Sequence, residues 1–158
     1  MNDGLGKHAE QKIKEWLDRP QDGYSFDRIP DQMTGFYGSS NICDFECYKY
    51  PYKYYIESKA TWEDRWEFSR LTDIQYNGLL NKSKIVGVYS WVIVLFASHK
   101  RAFVLDIRDI EKAKADGVKS ININKIDRWT IPYKELMTIP SRKQMLDYTG
   151  EIEDYRKG

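Results

Sequence analysis

Tyr54-Tyr55-Ile56-Glu57-Ser58-Lys59-Ala60-Thr61 is the stretch on which the fold turns. Its aromatic and β-branched residues favour a strand. Side chains on a strand alternate between faces, so Glu57 and Lys59 point the same way, roughly 6–7 Å apart. A second strand-like run, Ile42 to Tyr50, precedes it and carries Asp44. The two runs read as an antiparallel hairpin with a tight turn at Pro51. Asp44 and Glu57 meet across that hairpin only in one register, which the sequence leaves open. Two acids and an ammonium group on one sheet face make a poor core. They suit a divalent cation held beside a phosphate, with a positive charge next to the attacking water. The competing reading is a surface salt-bridge cluster of little energetic weight.

Outward from this hairpin, the chain alternates helices and strands. Gly6 to Leu17 reads as a helix with Ala9, Ile13, Trp16 and Leu17 on one stripe, ended by Pro20 and Gly23. Tyr24 to Ile29 alternates as a strand does, and Pro30 stops it. Met33 to Asn41 is a Gly/Ser/Asn loop. Trp62 to Arg65 is a polar, aromatic loop, and Phe68 to Asn81 is helix-like, with Leu71, Ile74, Gly78 and Leu79 on one side. Val86 to Phe96 is nearly continuous in apolar residues, which suits a central strand covered on both faces. Ser98-His99-Lys100 makes a turn, Arg101 to Ile107 returns as a strand, and Ile110 to Ala115 is a short helix before Gly117. Ile123 to Trp129 is another short turn, and the tail 141–158 is polar. The expected architecture is α/β: a mixed sheet of five strands flanked by helices, in one domain spanning 1–158.

Composition narrows the function. The 158 residues carry a net charge of +1, so no global basic field advertises nucleic acid. An acidic site would mask a local basic surface, so a nuclease stays possible. The N-terminus lacks the apolar core of a signal peptide, and Val86 to Ala97 is too short to span a bilayer, so an intracellular, cytoplasmic protein is expected. Cys43 and Cys47 have poor same-strand disulfide geometry and no zinc partners nearby; they read as small buried hydrophobes. Gly4-Leu5-Gly6-Lys7 falls short of a phosphate-binding loop. His8 and His99 read as surface histidines.

The order of elements, with Asp44 and Glu57-Ser58-Lys59 on adjacent strands, resembles the PD-(D/E)xK nuclease superfamily, whose fold is restriction-endonuclease-like. Further residues resemble the RecU-type Holliday-junction resolvases, including phage versions. They are Gly6-Lys7-His8-Ala9-Glu10 in the opening helix, Asn41-Ile42-Cys43-Asp44 at the first aspartate and Phe68 through Gln75 in the following helix. Val94-Leu95-Phe96, Phe103-Val104-Leu105-Asp106 and Gly117-Val118-Lys119-Ser120-Ile121 follow in later positions. The match runs in order from about Gly4 to Pro132. RecU-type proteins carry a long stalk before the first aspartate. Here only Tyr24 to Asn41 fills that interval, so 33–41 is expected to be a reduced loop.

The resemblance implies Mg²⁺ or Mn²⁺ bound by Asp44, Glu57 and the Ser58 carbonyl. Lys59 would act on the attacking water, Glu10 on a second metal or its water, and Gln75 on Lys59 or a water. It implies hydrolysis of a DNA phosphodiester to a 5′-phosphate, by a homodimer that makes paired cuts in a four-way junction. Arg65, Lys82, Lys84, Lys100 and Arg101 are candidate phosphate contacts, each also readable as an ordinary solvated charge. Trp62 and Trp66 would either stack on DNA or pack over the sheet edge. Two other functions compete: a less selective nuclease of duplex, flap or single-stranded DNA, and a non-catalytic recombination accessory that binds DNA.

Overall fold

The computed structural model describes residues 3–30 and 41–136. The loop at 33–40 and the tail 141–158, with Arg142 and Lys143, lie outside the described residues. Among the described residues eleven elements of regular α or β structure follow in order: α1 (Asp3–Leu17), β1 (Ser25–Arg28), β2 (Phe45–Lys49), β3 (Tyr52–Thr61), β4 (Arg65–Glu67), α2 (Asp73–Ser83), β5 (Val88–Phe96), β6 (Arg101–Asp106), α3 (Ile107–Ala115), β7 (Ser120–Asn122) and β8 (Lys134–Leu136).

The main sheet has six strands in the order β1-β2-β3-β5-β6-β8. β3 and β5 run parallel, and every other pairing is antiparallel. The sequence reading of five strands missed β8, a three-residue edge strand without a periodic signal of its own. β4 and β7 form a separate two-stranded sheet: the expected loop at Trp62 to Arg65 gives way to β4 at Arg65, and β7 falls on the Gly117–Ile121 stretch that resembles a later strand of the family. Such short pieces fall below the length at which alternation can be read.

Each face of the sheet carries its own core. Ile13, Trp16 and Leu17 of α1 pack on Phe45, Tyr54, Ile56, Trp91 and Ile93. On the opposite face, Leu79 of α2 and Ile107 and Ile110 of α3 meet Val92, Val94, Phe103 and Leu105. Val92, Val94 and Leu105 are fully buried, each contributing roughly 1.5–3 kcal/mol by transfer. The alternation along β5 thus feeds both cores, as its near-continuous apolar run requires. The expected strand start at Val86 moves to Val88, since Val86 is 99% exposed.

α2 begins later than its pattern suggests. Phe68–Arg70 forms a 3₁₀ turn instead, and Thr72 caps the helix in a reciprocal box. The Gln75 N–H donates to Thr72 Oγ1 (3.2 Å), and the Thr72 N–H donates to Gln75 Oε1 (3.1 Å). Ile74 is consequently exposed rather than inward-facing. Gly78 sits against Ile42: a Cβ there would lie 2.2 Å from Ile42 Cγ2, so only glycine lets α2 approach this segment. Cys43 and Cys47 are free and buried, and burial pushes both thiols up to about 12, as inert core residues.

Candidate active site

The hairpin register decides whether the acids meet. Phe45 lies opposite Ile56 at the end of the ladder, and Asp44, one residue before β2, comes close enough to Glu57 for the two carboxyls to interact. The backbone holds it there: the Asp44 N–H donates to Ile56 O (3.1 Å), and the Asp44 carbonyl accepts from Ile29 N–H (2.7 Å). β2 ends at this point, so β3 runs on from Glu57 without a neighbour on that side. The Ser58 N–H, freed from any ladder partner, donates to Asp44 Oδ2 at 2.9 Å. A residue's N–H and C=O leave a strand on the same edge, so the Ser58 carbonyl faces the same gap.

Glu57 shares its sheet face with Tyr55 and therefore turns toward α2. It is buried, at 3% exposure. Its Oε2 accepts from Gln75 Nε2 (3.0 Å) and lies 3.3 Å from the Lys59 ammonium. Its Oε1 is buried with no hydrogen-bond partner. Burial pushes the Glu57 carboxyl up to about 8, and the nearby Asp44 charge pushes in the same direction against Lys59. A buried carboxylate with one oxygen unsatisfied, a second acid beside it and a carbonyl facing the gap is a donor set that fits a hard divalent cation.

Gln75 thus bonds Glu57, beside its expected role on Lys59 or a water. One side chain caps α2 and steadies the acid. Glu10 pairs with Arg28 at 2.8 Å, and Arg28 also donates to the Ile29 carbonyl. Among the described residues no three His, Cys, Asp or Glu side chains form a ready ligand cluster, so Glu10 stands outside the Asp44–Glu57 pair in this structure.

The basic candidates scatter. Arg65 is exposed on β4, and Lys84 is exposed at the end of α2. Lys82 holds its ammonium 5.4 Å from the Tyr55 ring centre, on the Glu57 face. Lys100 is exposed in a left-handed turn at φ 54°. Arg101 forks onto Glu135 of β8 through bonds of 2.7 and 2.6 Å, which gives it a structural task. The two tryptophans divide the readings between them: Trp66 is buried in the core, whereas Trp62 is 56% exposed. Sequence reading missed Asp64. Its carboxylate joins His99 (2.8 Å) and Asn124 (2.8 Å) from distant segments, and these bonds hold it below the usual carboxylate range. No local pattern announces a contact between residues so far apart in the chain.

Comparison with known proteins bears on the fold. No family model matches the chain, and no curated protein matches it. Among solved structures, it is similar to Hjc, a Holliday junction resolvase from the archaeal hyperthermophile Archaeoglobus fulgidus. The TM-score is 0.52 at 14% identity, over 75% of this chain and 89% of that one. The class is therefore a restriction-endonuclease-like α/β fold, a mixed central sheet flanked by helices. Among the described residues no helix is long and apolar enough to cross a membrane.

Proposed function

We propose that this protein is a metal-dependent endonuclease that cuts branched DNA, Holliday junctions included, in recombination or phage DNA processing. The observation that carries the reading is Glu57: buried, with Oε1 unsatisfied, beside Asp44 and in contact with Lys59. The likeness to a Holliday junction resolvase supports the branched substrate.

Asp44, Glu57 and the Ser58 carbonyl would hold Mg²⁺ or Mn²⁺, which when bound supplies Lewis acidity and lowers the pKa of water. Lys59 places its ammonium at the edge of this acid pair. There it orients a water toward the scissile phosphate and offsets the charge that builds on the phosphate oxygens. Gln75, bonded to Oε2, helps fix the Glu57 rotamer and leaves Oε1 without a protein partner. Arg65, Lys82, Lys84 and Lys100 are the available phosphate contacts, and each would steepen the salt dependence of binding. Two copies related by a two-fold axis would supply the paired cuts a four-way junction needs.

A second reading rests on the Tyr24–Asn41 interval, which is too short for a full stalk: a nuclease that cuts flaps and duplex as readily as junctions. One gel assay decides among these. Junction, flap and linear duplex are incubated with Mg²⁺ or with EDTA. Preferential junction cleavage with metal supports the first reading, and equal cleavage of all three supports the second. Cleavage undiminished by EDTA would overturn both.

A further inference from the structure

A cavity of about 650 Å³ lies between α1 and the sheet, and Lys59 contributes to its wall. We propose that it receives one unstacked nucleobase of the DNA strand being cut. This inference rests on the nuclease reading and names how the same site would hold its substrate.

The cavity is the right kind of space for such a ligand. Ala9 and Ile13 of α1 face Ile93 and Leu95 of β5 across it. A volume of this order is that of a small-molecule site, and apolar walls suit the flat face of a base. Trp16 also lines it and adds an aromatic wall.

The charged lining residues are all lysines, Lys12, Lys59 and Lys100, with His8 beside them. A cationic ligand would be repelled. An apolar body joined to phosphates matches both the walls and the rim. Glu57 turns to the other face of the sheet, and Lys59, 3.3 Å from Glu57 Oε2, is the residue the cavity shares with the acid pair, so a base seated here belongs to a nucleotide that rounds the sheet edge at Lys59.

Trp62 supplies a stacking face at the mouth, three residues after Lys59. Its segment is tied down from several sides. Ser98 Oγ donates to the Trp62 carbonyl (2.8 Å), Thr61 Oγ1 accepts from the Glu63 N–H (3.0 Å), and Asp64 joins His99 and Asn124. The same links fix the turn that carries Lys100. An aromatic ring and a cation held in place before binding lose little freedom when a nucleotide arrives.

The test is equilibrium binding of the full chain to fluorescently labelled junction DNA in EDTA, where cutting plays no part. A single abasic site is moved one nucleotide at a time through the strand around the branch point. At one position the missing base should weaken binding roughly tenfold, the scale of one base–aromatic stack. Trp62→Ala should weaken the intact junction to about the abasic value and leave the abasic junction unchanged, while Trp62→Phe should restore the preference. Trp62 is exposed, so these variants keep their fold, which circular dichroism checks. No abasic position of effect, or equal weakening of both junctions by Trp62→Ala, would overturn the inference. If those binding results fail while Mg²⁺-dependent cleavage persists, the cavity proposal alone falls. Absence of DNA binding and cleavage together would sink the nuclease reading with it.

Discussion

Metal uptake by this site should depend steeply on pH, because a cation has to displace the Glu57 proton. Burial and Asp44 raise that carboxyl from its ordinary 4.5 to about 8. Ligand carboxylates bind metal deprotonated, so the apparent affinity falls tenfold for each pH unit below the folded-state pKa. With a pKa of about 8, the dissociation constant for Mn²⁺ at pH 6 should be about 100-fold weaker than its plateau above pH 9, or roughly 2.7 kcal/mol. Calorimetric titration in two buffers of different ionisation enthalpy would report both quantities. Close to one proton should be released per metal at pH 6, and almost none at pH 9. A dissociation constant that stays flat from pH 6 to 9, with no proton released, would refute the reasoning from Glu57 burial.

The same group shapes stability without metal. A carboxyl with a raised folded-state pKa stabilises the fold below its unfolded value near 4.5, and that contribution is lost as pH rises through about 8. The melting temperature of the metal-free protein should therefore fall between pH 5 and 9, and Mn²⁺ should recover more of it at pH 9 than at pH 5. Gly78→Ala should destabilise by about 1–3 kcal/mol in urea, since its Cβ meets Ile42, and should cut activity by shifting the Ile42–Asp44 segment; Ile42→Ala added to it should recover part of both. Gln75→Ala should cost about 1 kcal/mol of cap energy and also loosen Glu57; Thr72→Ala should match that stability loss but spare activity more, which comparing melts with turnover would separate. Arg101→Ala should cost only about 0.5–1 kcal/mol, because its pair with Glu135 is partly exposed, and should leave the salt slope of DNA binding unchanged.

What could be read from residues alone follows physical lines. α1, β3, β5 and β6 announce themselves because they bury many residues with a regular period. β4, β7 and β8 do not, because three residues carry no measurable alternation. The Glu57–Lys59 pairing was legible, since strand geometry fixes their shared face. The meeting of Asp44 and Glu57 was not, because register depends on how the hairpin is packed; the bond from Ser58 N–H to Asp44 is what joins them. The sequence points to Gln75 but not to its bond with Glu57: a capping box fixes its backbone, and only tertiary packing points its amide at Glu57. The cavity, and the clamp from Asp64 to His99 and Asn124, join segments too distant in the chain for any local pattern.

Single-turnover cleavage of a labelled four-way junction, with wild type beside Asp44→Asn and Lys59→Met, goes straight to the acid–acid–ammonium site. The expected result is Mg²⁺-dependent product bearing 5′-phosphate ends from the wild type, and at least a hundredfold slower cutting by each folded variant. Variants that cut at the wild-type rate would mean that phosphodiester hydrolysis happens elsewhere, or that these three side chains serve only the fold.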